Sequence, residues 1–196
     1  MPSYKPEFVE HVRQRRARLG AELAAIVPAN APIVLEIGCG HGHFLARYAH
    51  ENPARLCVGV DMIGERIGRA QRKADRAKLA NCHFIRGEAR ELIEAMPPGV
   101  TFAEVWVLFP DPWPKKRHHK NRILQPEFFE FLAGRVEQGG RLYFRTDHAE
   151  YFSSVAGFLP GLKTWQPDPA AARPLEQETV FQARAPAYQS LVAVRQ

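Results

Sequence analysis

Cysteine is scarce: Cys39, Cys57 and Cys82 are three residues in 196, and no two stand close together. An odd, scattered set argues against a disulfide scaffold and a cysteine-based zinc site, and it predicts a reducing, cytoplasmic setting. Long apolar runs are missing as well; none approaches the ~20 residues that a membrane-spanning helix needs. The stretch Met1-Pro2-Ser3-Tyr4-Lys5-Pro6-Glu7 has no apolar core of the kind a secretory signal carries. No G-x-x-x-x-G-K followed by Ser or Thr occurs, which excludes a P-loop. His41, His43, His118 and His119 lack a carboxylate or thiol at ligand spacing, so no metal is expected of them. Internal repeats are absent too.

What remains is an ordinary globular composition, 45% hydrophobic and 24% charged, in a chain long enough for a sizeable core. The formal charge of +6 and the pI near 9.5 favour an anionic partner, nucleic acid first, through phosphate neutralisation. The length predicts one domain over 1–196, with a basic helical arm over 1–31 and a core over 32–196.

Along the chain, 7–27 reads as a helix carrying Arg13, Arg15, Arg16 and Arg18, broken by Pro28 and Pro32. Strands are expected at 33–37, 55–60, 82–85, from Glu104 to Phe109, and at 141–145, with helices at 43–50, 63–79, after Ala89 to Met96, 126–136 and 149–159. Gly139-Gly140 reads as a helix stop. Glu178–Gln182 and Tyr188–Val194, parted by Pro186, suit an antiparallel hairpin. Five strands alternating with helices imply a parallel sheet with right-handed crossovers. With the hairpin added, the expected architecture is a doubly wound, Rossmann-like α/β methyltransferase fold with a mostly parallel seven-stranded sheet.

The first strand ends in Glu36-Ile37-Gly38-Cys39-Gly40-His41-Gly42. A nicotinamide-binding loop wants G-x-G-x-x-G, with a pyrophosphate on the helix amino terminus. The spacing here is G-x-G-x-G at Gly38, Gly40 and Gly42, preceded by an acid that has little use near phosphates. S-adenosylmethionine has no phosphate, and its ammonium and sulfonium suit an acidic wall at Glu36. Asp61, ending the second strand, can accept both ribose hydroxyls, and Glu88 with Ala89, after the third, is placed for the adenine end. Asp111 follows the fourth strand. Acids after four successive strands make the set specific where the glycine loop alone is not.

Beyond Leu108-Phe109 the chain reads Pro110-Asp111-Pro112-Trp113-Pro114, then Lys115-Lys116-Arg117-His118-His119-Lys120-Asn121-Arg122. The prolines take the chain out of the sheet as a stiff loop. An acid, an indole and a cationic run therefore share the rim where open α/β sheets bind ligands. Arg66, Arg69, Lys73 and Arg76 fall along one helical face. That stripe reads first as a solvated face and second as an RNA contact, the amino-terminal arginines as a solvated face or as phosphate contacts, and Trp113 as a stacking partner or as packing under its loop.

The run from Phe109 to Arg122, set against the glycine loop, resembles the signature of the bacterial tRNA (guanine-N7-)-methyltransferases, and the resemblance extends from Glu36 to the terminal hairpin. It implies transfer of a methyl group from S-adenosylmethionine to N7 of a guanine in the variable loop of tRNA, by a monomer or homodimer. It further implies that Glu36, Asp61, Glu88 and Asp111 line the cofactor site, that Asp111 is catalytic, and that Lys115 and Asp147 meet the guanosine, with Arg117 on the tRNA. The family's Thr-x-Tyr-Glu substrate motif falls on Thr179, Val180, Phe181 and Gln182, where an amide replaces the acid and the phenol is lost. That departure keeps alternatives open: a same-fold methyltransferase with another RNA or small-molecule substrate, or a catalytically silent RNA-binding relative.

Overall fold

A computed structural model describes residues 6–171 and 187–196 of the chain. The strands are β1 (Pro32–Ile37), β2 (Leu56–Asp61), β3 (Cys82–Arg86), β4 (Thr101–Leu108), β5 (Val136–Thr146), β6 (Trp165–Pro167) and β7 (Gln189–Arg195). The helices are α1 (Pro6–Ile26), α2 (His43–Glu51), α3 (Gly64–Arg76), α4 (Ala89–Ala95), α5 (Pro126–Ala133) and α6 (Ala149–Phe158). The sheet order is β3-β2-β1-β4-β5-β7-β6. The first five strands run parallel, and β7 lies antiparallel between β5 and β6.

Side-chain alternation divides the core between the two sheet faces. Ile33, Leu35, Val105, Val107, Leu142 and Phe144 face one cluster, with α1, α4, α5 and α6. Val34, Trp106, Leu108 and Tyr143 face the other, with α2 and α3. On that second face Trp106 stacks on Tyr143 at 3.8 Å between ring centroids. Glu104 accepts hydrogen bonds there from the Tyr48 hydroxyl at 2.8 Å and the Trp106 indole at 3.0 Å. Strand order reverses between β1 and β4, and the crevice above that switch point is where such sheets take their ligands.

Several elements differ from the sequence reading. The Gly139-Gly140 pair lies inside β5, which starts at Val136 rather than 141. Gly139 is left-handed at φ 78°, and the register against β4 slips between Phe102 and Glu104, so the glycines make a bulge in a longer strand. The neighbour of β7 on its outer side is β6, a three-residue strand absent from the sequence reading. The expected hairpin arm Glu178–Gln182 lies outside the described residues. The amino-terminal helix is seated by fully buried Leu19 and Leu23. Arg15 pairs with Glu91 of α4 and Arg16 with Glu94 at 2.7 Å, so these two arginines are held by the protein itself.

Candidate cofactor and substrate cleft

A cleft of about 1100 Å³ opens over the carboxyl ends of the parallel strands. Its inner wall is the glycine loop between β1 and α2. The Gly38 and Cys39 amides donate to the Val60 carbonyl at 2.8 and 3.1 Å, and Lys73 of α3 donates to the His41 carbonyl at 2.8 Å. Gly38 and Gly40 have open space where a Cβ would project. Gly42 is different: a Cβ there would come within 2.5 Å of the Phe84 ring and 2.7 Å of the Ala70 methyl. It serves the packing of α2 against β3 and α3, and it is not on the cleft wall.

Glu36 is the anomaly in this wall. It is 4% exposed, and its Oε2 is buried without a hydrogen-bond partner among the described residues. Burial pushes its carboxyl up to about 8, the Leu45 amide drawing it down and the Asp61 charge pushing it further up. A dry, half-satisfied carboxyl is costly unless something cationic completes it.

Asp61 ends β2 with its carboxylate oriented by the loop: Oδ2 accepts from the Gly40 amide at 3.1 Å and Oδ1 from the Ile63 amide at 2.8 Å. Arg66 stands 3.6 Å away. A carboxylate has about four lone-pair sites, so both oxygens keep capacity for hydroxyl donors. Glu88 caps α4, its Oε2 accepting from the Glu91 amide at 3.0 Å, while lining the cleft beside Ala89.

The outer end is built by the proline loop after β4. Phe109 and Trp113 sit at φ 50° and 44°, left-handed values that bulky residues adopt only when their surroundings impose them. The Phe109 amide is held by the Arg145 carbonyl at 2.8 Å. Asp111 is exposed and lines the cleft, as does Asp147 at the end of the neighbouring β5. Trp113 is 37% exposed, its ring edge-on to His118 at 5.9 Å. Beyond it, a short 3-10 helix, Lys116–Asn121, carries the cationic run. Among the described residues no group of three or more His, Cys, Asp and Glu could hold a metal ion.

A protein-family model described as "Putative methyltransferase" matches residues 30–185. The chain is 37% identical over 143 residues to a tRNA (guanine-N(7)-)-methyltransferase of Geobacter metallireducens, covering 73% of this chain and 68% of that one. It is 34% identical over 155 residues to the protein of that name in Syntrophotalea carbinolica, covering 79% and 67%. The chain belongs to the tRNA (guanine-N7-)-methyltransferase family. Among solved structures, TrmN from Thermus thermophilus matches with a TM-score of 0.61 at 18% identity, over 92% of this chain and 49% of that one. At that identity the match speaks for the fold alone.

Of the residues that the sequence and its tRNA (guanine-N7-)-methyltransferase resemblance together singled out, the cleft gathers Glu36, Gly38, Gly40, Asp61, Glu88, Ala89, Asp111 and Asp147 into one lining. Gly42, Lys115 and Arg117 lie outside that lining, the two cations exposed on the rim. Thr179 and Gln182 lie outside the described residues. The sequence reading missed Met62 and Ile63, exposed at 69% and 45% in the cleft; an apolar pair directly after Asp61 was the available signal. It also counted Arg122 among the rim cations, whereas the side chain is buried. The S-adenosylmethionine expected from the glycine loop fits these residues: the unpartnered Glu36 oxygen suits a cation, the bare loop admits close approach, and Asp61 suits a diol.

Proposed function

We propose that this chain transfers a methyl group from S-adenosylmethionine to N7 of a guanine in tRNA, the guanine lying in the variable loop. The observation that carries the reading is the buried, incompletely satisfied carboxyl of Glu36 at the inner end of a cleft whose outer end is acidic, aromatic and ringed by lysine and arginine. When bound, S-adenosylmethionine supplies an electrophilic methyl next to a positive sulfur. Glu36 would hold the methionyl end, Asp61 the ribose hydroxyls, and Glu88 with Ala89 the adenine end.

Guanine N7 has an in-plane lone pair and no proton, so no residue of this chain has to act as a base to create the nucleophile. The chain's work is alignment, and positioning of this kind is worth on the order of 7 kcal/mol or more. Methylation leaves the purine cationic. Asp111 and Asp147, at the ends of adjacent strands, offer negative charge that stabilises the developing cation more than the neutral base. One of them can also accept from guanine N1–H and its exocyclic amine, a donor pair that adenine does not present. Trp113 offers a π face on which an unstacked base can lie. Lys115, Lys116, Arg117 and Lys120 are exposed on one rim, suited to backbone phosphates that fix position without reading sequence.

The test is incubation with methyl-labelled S-adenosylmethionine and bulk tRNA, followed by nuclease digestion and nucleoside chromatography. Label is expected in 7-methylguanosine. Label in another nucleoside, or none in RNA, overturns the reading.

A further inference from the structure

The cationic run ends in a residue that does not behave like the rest. Arg122 is 3% exposed, and each of its three guanidinium nitrogens donates a hydrogen bond. Its Nε donates to the Pro112 carbonyl at 2.7 Å. Its Nη1 donates to Glu150 Oε1 at 3.2 Å, and its Nη2 donates to Glu150 Oε2. Its Cζ lies over the Tyr151 ring, 4.7 Å from the centroid. Tyr151 is itself fully buried, and its hydroxyl accepts from the Leu124 amide at 3.0 Å. The arrangement spans two loops: Pro112 directly follows Asp111, and Glu150 sits in the first turn of α6, directly after the loop bearing Asp147.

We propose that Arg122 is a positioning residue that fixes Asp111 relative to Asp147, and not one of the cations that meet tRNA. The inference rests on the methyl-transfer reading above, which gives those two carboxylates their work. The physical case is the fork. A planar guanidinium can serve a carbonyl and a bidentate carboxylate at once while stacking on a phenol ring, and a lysine ammonium, a point charge on a flexible stem, cannot. Without the fork the Pro112 carbonyl loses its donor and Glu150, whose side chain is 54% exposed, keeps only the looser contact with His119 at 3.6 Å. The proline loop, already held at left-handed Phe109 and Trp113, then loses its tie to α6. A displacement of about 1 Å at a reacting group can cost roughly a hundredfold in rate.

The test compares R122K, R122Q and E150Q with wild type in three measurements: single-turnover transfer at saturating tRNA, tRNA affinity against salt, and acrylamide quenching of tryptophan fluorescence without RNA. Trp106 and Trp165 are 1% and 0% exposed, so quenching reports the loop through Trp113. R122K should slow transfer on the order of a hundredfold while leaving tRNA affinity and its salt slope unchanged, and should raise quenching. E150Q, altered at an exposed partner and so expected to keep its fold, should move rate and quenching the same way by less. In R122Q, which removes the charge that lysine keeps, a normal saturating rate with a salt slope shallower by about one would make Arg122 a phosphate contact and overturn the proposal. Unchanged quenching in R122K and E150Q would overturn it too. If wild type itself forms no 7-methylguanosine, the functional reading fails, and quenching still decides whether Arg122 braces the loop.

Discussion

The two ends of the cleft are built on opposite principles. The inner end is enclosed: Glu36 and Asp61 are 4% and 8% exposed, their oxygens set by loop amides or, among the described residues, left without a partner. The outer end is wet: Asp111, Trp113 and Asp147 are exposed, and the residues from Lys115 to Arg117 stand beyond them in solvent. Desolvation makes charge expensive at the inner end, so a small cation that completes Glu36 is strongly preferred there. The outer end spends little on desolvation and relies on a rigid loop and a long-range field, which suits a macromolecular polyanion.

The comparison breaks most visibly at Asp111. Asp111→Ala should lower single-turnover transfer to pre-bound tRNA roughly a hundred- to a thousandfold, the scale of losing one preorganised electrostatic group. Because Asp111 is exposed, the thermal midpoint should hardly move. A near-normal rate would remove it from the chemistry. At the inner end, Glu36→Gln should weaken donor binding by about 2 kcal/mol, as expected when one partner of a buried charge pair is lost. Equilibrium dialysis with labelled donor measures this, and unchanged affinity would place the cation elsewhere. Lys115→Ala with Arg117→Ala should leave donor affinity alone, weaken tRNA binding and flatten its salt dependence, by about 0.7–0.9 in slope for each phosphate contact removed. An unchanged slope would take the rim off the RNA.

A further expected effect concerns stability. The Glu36 carboxyl sits at about 8 in the folded protein against an ordinary 4.5, chiefly through burial. The folded form therefore binds this proton more tightly than the unfolded chain. Its contribution to stability is full below about pH 4.5 and is lost as pH rises toward 8. Glu36→Gln removes that slope, so the thermal midpoint of the variant should gain on wild type between pH 5 and 8. Parallel midpoint curves would contradict a neutral Glu36.

The inner end was the more legible of the two in the sequence, because its parts are local. A glycine loop after an apolar strand and an acid at each strand end are patterns of near neighbours, and the cleft gathers most of them. What could not be read depends on partners distant in the chain. Arg122 looked like one more rim cation because Glu150 lies 28 residues on. The three-residue β6 carries a proline and no periodicity. It is a strand because it pairs with β7 and because the Trp165 indole donates to the Phe129 carbonyl at 2.8 Å. Gly139-Gly140 was read as a helix stop because two glycines punctuate any element; only pairing with β4 reveals the bulge.

The central claim, that a neutral buried Glu36 is ionised by a cationic donor, can be read directly as proton release. Titrating S-adenosylmethionine into the protein at pH 7 in two buffers of different ionisation enthalpy gives the number of protons released per donor bound. The account predicts a value close to one for the wild-type protein and its disappearance in Glu36→Gln. Equal heats in the two buffers for wild type would contradict it.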